Sequence, residues 1–255
     1  MARRVLEAPR ERFRRVIAEY HESSMSQGTV ASGVRRVARI DLEALRANLA
    51  ALVAEDSSVV LDARADAYGH GLTHVAQAAV DAGIGTIRIG LRDTPPRGIR
   101  RSMLMTVPSV RPTAADAAYG FDGVAKPVMT LVGEVIAVKP TEEGAGVSYG
   151  YTYRTEEPTT LALVGLGYAD GIPRLASNRA TVAIGGRFAP IVGRIAMDQF
   201  VVDCGSARVS VGDDVTLWGD PGFGHPTATD WGVVTERRAL DLTAGLGSRI
   251  TRVHS

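Results

Sequence analysis

The chain has 255 residues, is 45% hydrophobic, and sets 29 lysines and arginines against 28 aspartates and glutamates. A formal net charge of +1 lacks the basic excess of a general nucleic-acid or anionic-membrane binder, so neither is expected as a partner. The single cysteine, Cys204, excludes an internal disulfide and a cysteine-based metal cluster, and it fits a reducing cytosol.

Residues 1–36 predict an N-terminal arm. The first 40 residues carry nine arginines and four glutamates, a local net of +5. Residues 11–22 read as a short helix with Phe13, Ile17 and Tyr20 on one stripe, and residues 23–33 as a Ser/Gly-rich linker. Residues 37–40 are a short β-branched strand. Asp41 is placed to cap a helix in which Leu42, Leu45, Leu49 and Leu52 recur at spacings of 3, 4 and 3. A buried-type strand over 59–61, helical spacing over 72–82 and a strand over 86–90 follow. Strand–helix–strand units of this length imply parallel pairing, so residues 37–125 read as an α/β region.

Pro95-Pro96, Gly98, Pro108 and Pro112 interrupt residues 92–128, leaving one strand over 103–107 and one helix over 113–119. Short β-rich runs then occupy 129–139, 160–166, 180–184, 188–195, 199–204 and 214–218. Gly, Pro and Asp separate them, so residues 126–255 predict a compact antiparallel β-domain or small barrel. A late helix over 227–241 has Thr227 or Thr229 as its cap. No run of about 18 apolar residues predicts a membrane span, and no apolar segment of the secretory type follows the first arginines.

Several weaker signals carry nothing. His70 and His74 lie four apart, but without a His-Glu-x-x-His pattern or an obvious third ligand no metal site is expected. Gly165-x-Gly167-x-x-x-Gly171 is one residue too long for a dinucleotide fingerprint and lies between β-runs. Cys204 ends an apolar strand and reads as a buried small hydrophobe.

Two stretches are far more specific. Ala63-Arg64-Ala65-Asp66-Ala67-Tyr68-Gly69-His70-Gly71, between a strand and a helix, resembles the pyridoxal-phosphate (PLP) motif of alanine racemases. Val147-Ser148-Tyr149-Gly150, Leu166-Gly167-Tyr168-Ala169-Asp170-Gly171 and Ile191-Val192-Gly193-Arg194-Ile195-Ala196-Met197-Asp198-Gln199 resemble the C-terminal signatures of that family, in the family's order. Val211-Gly212-Asp213 and Arg249-Ile250-Thr251-Arg252 agree as well. The resemblance implies an α/β remnant of a PLP-binding (β/α)8 barrel followed by an antiparallel, β-rich C-terminal domain of the alanine racemase type. It also implies head-to-tail dimers, either of this chain or with a full-length racemase, and interconversion of L- and D-alanine in the cytoplasm.

Carried over by position, Tyr149 matches the family's tyrosine base and Tyr68 a residue that hydrogen-bonds the PLP phosphate. Met197 matches the residue whose backbone N–H meets the substrate carboxylate, and Tyr168 and Asp170 match the channel that admits substrate. As residues alone, Gly-Tyr-Ala-Asp-Gly also makes a good turn, and a purely structural role stays open for these three.

The sequence departs from the family twice. Arg64 stands where the family has the lysine that binds PLP as a Schiff base and serves as one of the two catalytic bases. A guanidinium stays protonated and offers no nucleophilic lone pair, although it can pair with a phosphate or carboxylate. Only Lys126 and Lys139 are lysines in the whole chain, and neither occupies that position. Secondly, a (β/α)8 barrel needs about 30 residues per unit, and 37–125 provides 89 residues, enough for about three. Tyr149 therefore loses neighbours that would make a phenol of pKa ~10 basic near neutrality. Three or four strands also leave an open sheet edge, which invites a partner. The expected function is that of an alanine-racemase relative impaired or inactive alone. The alternatives are a non-catalytic paralogue that dimerises with a full-length racemase, or a decayed gene product.

Overall fold

The short parallel strands collect in one sheet and the antiparallel strands in another. The computed structural model describes residues 33–106 and 113–255. The expected arm helix and most of its linker lie outside them, as do Val107, Pro108 and Pro112. Residues Val34–Ser255 form one compact unit.

The smaller sheet holds β2 (Val60–Asp62), β3 (Thr86–Arg88), β4 (Leu104–Met105) and β5 (Thr113–Ala114), all parallel, in the order β4-β3-β2-β5. Among the described residues it does not close: β4 and β5 are its two edges. Strand β5 follows β4 in the chain yet lies beside β2, two strands away. Helix α1 (Leu42–Glu55) starts where predicted, with Asp41 Oδ1 accepting the Ala44 N–H at 2.8 Å. Leu45 and Leu49 of its stripe are fully buried, and Leu42 and Leu52 pack beside them. Helix α2 (Leu72–Asp81) buries Leu72, Val75 and Ala79; α3 (Asp116–Tyr119) is the surviving turn of the helix expected over 113–119.

Between β2 and α2 the chain does something that spacing alone does not reveal. Within Arg64–Gly69, Ala65, Asp66, Ala67 and Tyr68 all have φ between +51° and +55°, so this is a left-handed turn and not the start of a helix. Such a turn costs roughly 1–2 kcal/mol per non-glycine residue. Its partners offset that cost. Asp66 Oδ1 accepts the Leu72 N–H at 2.7 Å and so caps α2, and His70 Nδ1 lies 2.9 Å from the Ala67 carbonyl. Gly69, at φ +81°, presses on the late part of the chain: a Cβ there would lie 2.2 Å from the Thr243 carbonyl oxygen. Gly69→Ala is therefore expected to cost about 2–4 kcal/mol, adding backbone strain to overpacking. A urea melt with an unchanged slope checks this.

The larger sheet closes. Strands β13 (Asp214–Trp218), β10 (Thr181–Ile184), β11 (Arg187–Val192), β12 (Phe200–Asp203), β9 (Thr159–Val164) and β6 (Met129–Thr141) pair antiparallel in that order, and β6 returns to β13. This is the predicted antiparallel barrel, with each run within a few residues of its expected place. The 13-residue β6 changes partners along its length, meeting β13 through Glu134 and β9 from Val135, with an irregular register between Val135 and Ala137. On its other side β6 pairs with β1 (Arg36–Ile40), and β1 pairs in parallel with β14 (Thr251–His254). Thus β1 lies in the barrel sheet, where Ala38 and Ile40 are buried, and not in the parallel sheet to which the strand–helix alternation points. A pairing between strands over 200 residues apart leaves no local trace. Strand β7 (Gly146–Val147) pairs with β8 (Tyr153–Arg154) in a short hairpin that the sequence does not signal.

The late helix is two: α4 (Ala228–Thr235) and α5 (Ala239–Ala244). Thr227 is the cap, in a reciprocal box with Asp230. Glu236 adopts φ +56° and turns the chain, and Arg237 passes so close to Gly232 that a Cβ there would lie 2.6 Å from its carbonyl. Trp231 closes the barrel core, edge-on to Trp218 at 5.4 Å and donating to the Thr181 carbonyl at 3.0 Å. Cys204 is buried, as expected.

Candidate active site

The C-terminal end of β2 carries the first group of residues. Asp62 is buried and receives Arg64 side-on: Nε lies 2.8 Å from Oδ1 and Nη2 lies 2.6 Å from Oδ2. Arg88, on neighbouring β3, brings Nη1 to 3.6 Å of Oδ2. Arg64 Nη2 also reaches the Tyr68 hydroxyl at 3.2 Å. Beneath them Tyr119 donates to the Asp62 carbonyl at 3.1 Å, packs edge-on to Tyr68 and lies over the His70 ring at 4.5 Å.

The charges follow from this packing. Burial pushes the Asp62 carboxyl up, but the Arg64 hydrogen bonds and charge more than offset it and hold it below the usual 3.8. The same pairing raises Arg64 further, through the hydrogen bond to Asp62, so the guanidinium is permanently charged. Burial and the Asp62 charge outweigh Arg64 at Tyr68 and raise it, so its phenol stays protonated. Asp62, Arg88 and Tyr119 are not singled out by sequence reasoning. Asp62 had a signal, an aspartate ending an apolar strand two residues before the arginine, whereas Arg88 and Tyr119 meet it only through the fold.

The residues aligned with PLP binding fit that group poorly. No primary amine stands at position 64, and the Arg64 fork is filled by a carboxylate of its own chain. The two lysines lie elsewhere: Lys126 pairs with Asp41 at 3.1 Å, and Lys139 is exposed on β6. The cleft beside β2 is lined by five carboxylates (Glu55, Asp56, Asp62, Asp116 and Asp122) against three arginines, of which Arg64 and Arg88 face Asp62 and Arg238 pairs with Asp116 at 2.8 Å.

The barrel loops carry the second group. Tyr149 stands on a 3-10 turn (Tyr149–Tyr151) and is 67% exposed. Ser148, at φ +59°, fixes the turn by donating its Oγ to the Arg194 carbonyl at 2.6 Å. Tyr168 and Met197 are exposed on adjoining loops, joined by Tyr168 N–H to the Ala196 carbonyl and Ala169 N–H to the Met197 carbonyl, both at 3.0 Å. Asp170 is fully buried. Its Oδ2 accepts the Gly167 N–H at 2.8 Å, while Oδ1 meets Arg249 Nε at 2.8 Å and Arg36 Nε at 3.5 Å. Arg249 continues to Asp198 at 2.6 Å. Arg64 and Tyr68 are thus brought together on the parallel sheet, and Tyr149, Tyr168, Met197 and Asp170 on the barrel. Among the described residues no cluster of three or more His, Cys, Asp or Glu is placed to hold a metal.

Residues 128–254 match the family model for the alanine racemase C-terminal domain. The alanine racemase of Salinispora tropica is 40% identical over 201 residues, covering 74% of this chain and 53% of the relative. In structure, the alanine racemase of a D-cycloserine-producing Streptomyces lavendulae superposes with a TM-score of 0.77 at 25% identity, over 88% of this chain and 98% of that one. The alanine racemase of Bartonella henselae, solved with covalently bound pyridoxal phosphate, superposes at 0.74 and 19% identity, over 88% of this chain and 100% of that one, a likeness of fold. The chain spans between about a third and a half of the length of the curated relatives that it matches, 53% of that of Salinispora tropica and 35% of that of Thermobifida fusca.

Proposed function

This chain belongs to the alanine racemase family, and from that premise we propose that it does not racemise alanine by itself and serves as a non-catalytic member. The observation that carries this reading is the Asp62–Arg64 fork, which stands where the family's chemistry requires a free lysine amine. Racemisation needs a base on each face of the substrate carbon. A guanidinium paired with a buried carboxylate supplies neither a base nor a covalent tether. The four-stranded parallel sheet, whose described strands end at β4 and β5, supports the reading from the side of the scaffold.

Retention of the barrel loops favours a role in assembly. Ser148 ties the turn that carries the exposed Tyr149 to the Arg194 carbonyl, and the Asp170–Arg249 pair fixes the turn of Tyr168, which bonds the Met197 loop. In this reading the chain lends that surface to the intact barrel of a full-length alanine racemase, in the cytosol. The buried thiol of Cys204 is consistent with that compartment, and among the described residues no helix is long and apolar enough to cross a membrane.

Purified protein incubated with PLP and reduced with borohydride is expected to show no covalent adduct and no alanine turnover. An adduct on Lys126 or Lys139, with turnover, sinks the proposal. Co-expression with a full-length racemase from the same organism is expected to yield a mixed dimer with altered racemase kinetics. If the two chains purify apart, the assembly role is wrong while the silent reading stands.

A further inference from the structure

We infer that Asp62 is a second barrier to an aldehyde cofactor, so that Arg64→Lys alone leaves the site closed. The inference rests on the silent reading above and deepens it. Asp62 is only 4% exposed in its side chain, and its own carbonyl is held by the Tyr119 hydroxyl at 3.1 Å, so the strand end is fixed. Its carboxylate takes two parallel hydrogen bonds from the side chain two residues along. A lysine at 64 springs from the same Cα, with a stem of similar reach, and its terminal nitrogen falls on the same oxygens.

A buried carboxylate beside an amine favours the ammonium form, which has no lone pair to add to an aldehyde. The other groups facing the site leave that balance in place. Arg88, at 3.6 Å, takes part of the Asp62 charge. Tyr68 is a neutral phenol, and Arg238 is engaged by Asp116 at 2.8 Å. Glu55, Asp56 and Asp122 on the same cleft add negative potential. Each unit by which the amine's pKa rises leaves tenfold less free amine at neutral pH.

The test compares Arg64→Lys with Asp62→Asn/Arg64→Lys, using PLP as the probe at pH 7.5 and pH 10.5, then borohydride and peptide mass mapping. In a productive reaction the amine nitrogen adds to the aldehyde carbon, water leaves, and borohydride delivers hydride to the resulting C=N carbon, giving a stable secondary amine. At pH 7.5 the single variant is expected to carry less than a tenth of the position-64 adduct of the double variant. At pH 10.5, near the ordinary lysine value, the gap is expected to narrow to about fivefold.

Equal labelling at pH 7.5 overturns the inference, as does labelling of position 64 in neither variant at either pH. Where Asp62→Asn fails to fold by circular dichroism, the pH profile of Arg64→Lys decides. A labelling midpoint at or below the ordinary lysine value of about 10.4 overturns the inference; a higher one upholds it. An adduct on Lys126 or Lys139 of the unaltered protein defeats the proposed function instead, so the two failures are distinguishable.

Discussion

Asp170→Ala is expected to destabilise the protein by about 2–3 kcal/mol, the cost of leaving a buried amide without its acceptor and two partly exposed arginines without a counter-charge. Asp170 is fully buried, and its two oxygens hold three groups: the Gly167 amide of its own turn, and Arg249 and Arg36 from distant parts of the chain. Its carbonyl accepts the Gly247 N–H at 2.9 Å, so the same residue ties the 3-10 turn (Tyr168–Asp170) to the segment before β14. Without the carboxylate, Arg36 and Arg249 lose a desolvated counter-charge and the Gly167 amide loses its acceptor. Asp198→Ala is the matched control. It removes the other partner of Arg249, but Asp198 is 53% exposed in its side chain and water replaces the lost interaction, so the expected cost is under about 1 kcal/mol. Urea unfolding of the two variants checks the contrast. Similar midpoints would mean that Asp170 does not anchor these loops through its charge.

The second large effect is loss of stability in mild acid. Burial pushes His70 down to about 4, below an ordinary 6.5, despite hydrogen bonding to the Ala67 and Tyr68 carbonyls. The unfolded chain therefore takes up this proton at a higher pH than the folded chain. Stability is fully present above about pH 6.5 and falls as the pH drops towards 4, by about 3 kcal/mol from this group. His74 is lowered too, first by burial and then by the charge of His254, on which it stacks at 3.8 Å, so it adds loss in the same direction. Asp62, lowered from 3.8, withdraws its contribution only at still lower pH. Chemical denaturation at steps between pH 7.5 and 4 should show the decline, and His70→Gln, which keeps a donor towards the Ala67 carbonyl, should flatten it. A profile level between pH 7 and 5 would show that His70 is not held neutral.

Both effects concern residues within or beside sequence motifs, and in both the motif says less than the packing. The Gly-Tyr-Ala-Asp-Gly run announces a turn, and for its aspartate the family resemblance implies a place at a substrate channel. The fold surrounds that aspartate with arginines from β1 and from the segment leading into β14. Likewise the Ala-Asp-Ala-Tyr-Gly run is legible as a junction between strand and helix, but its left-handed conformation is not, nor is the seating of Gly69 and His70 against Thr243, Arg252 and His254 near the other end of the chain.

What the sequence determined by itself is the local chemistry and the architecture of each half. Apolar periodicity located α1, α2 and the six barrel strands to within a few residues, because burial of one face repeats at the period of the element. Composition fixed the absence of a lysine at position 64, and length fixed a parallel sheet too short to close. Only the tertiary structure decided what answers Arg64. The sequence leaves it free to take a phosphate or carboxylate, and folding supplies Asp62, two residues away, with Arg88 from the next strand. It likewise decided that β1 joins the barrel and that the late helix breaks at Glu236. The β1 pairing joins residues more than 200 apart, and the Asp62–Arg64 fork forms at a strand end that burial beside Arg88 and Tyr119 has taken out of water. Neither energy exists before the chain has closed on itself.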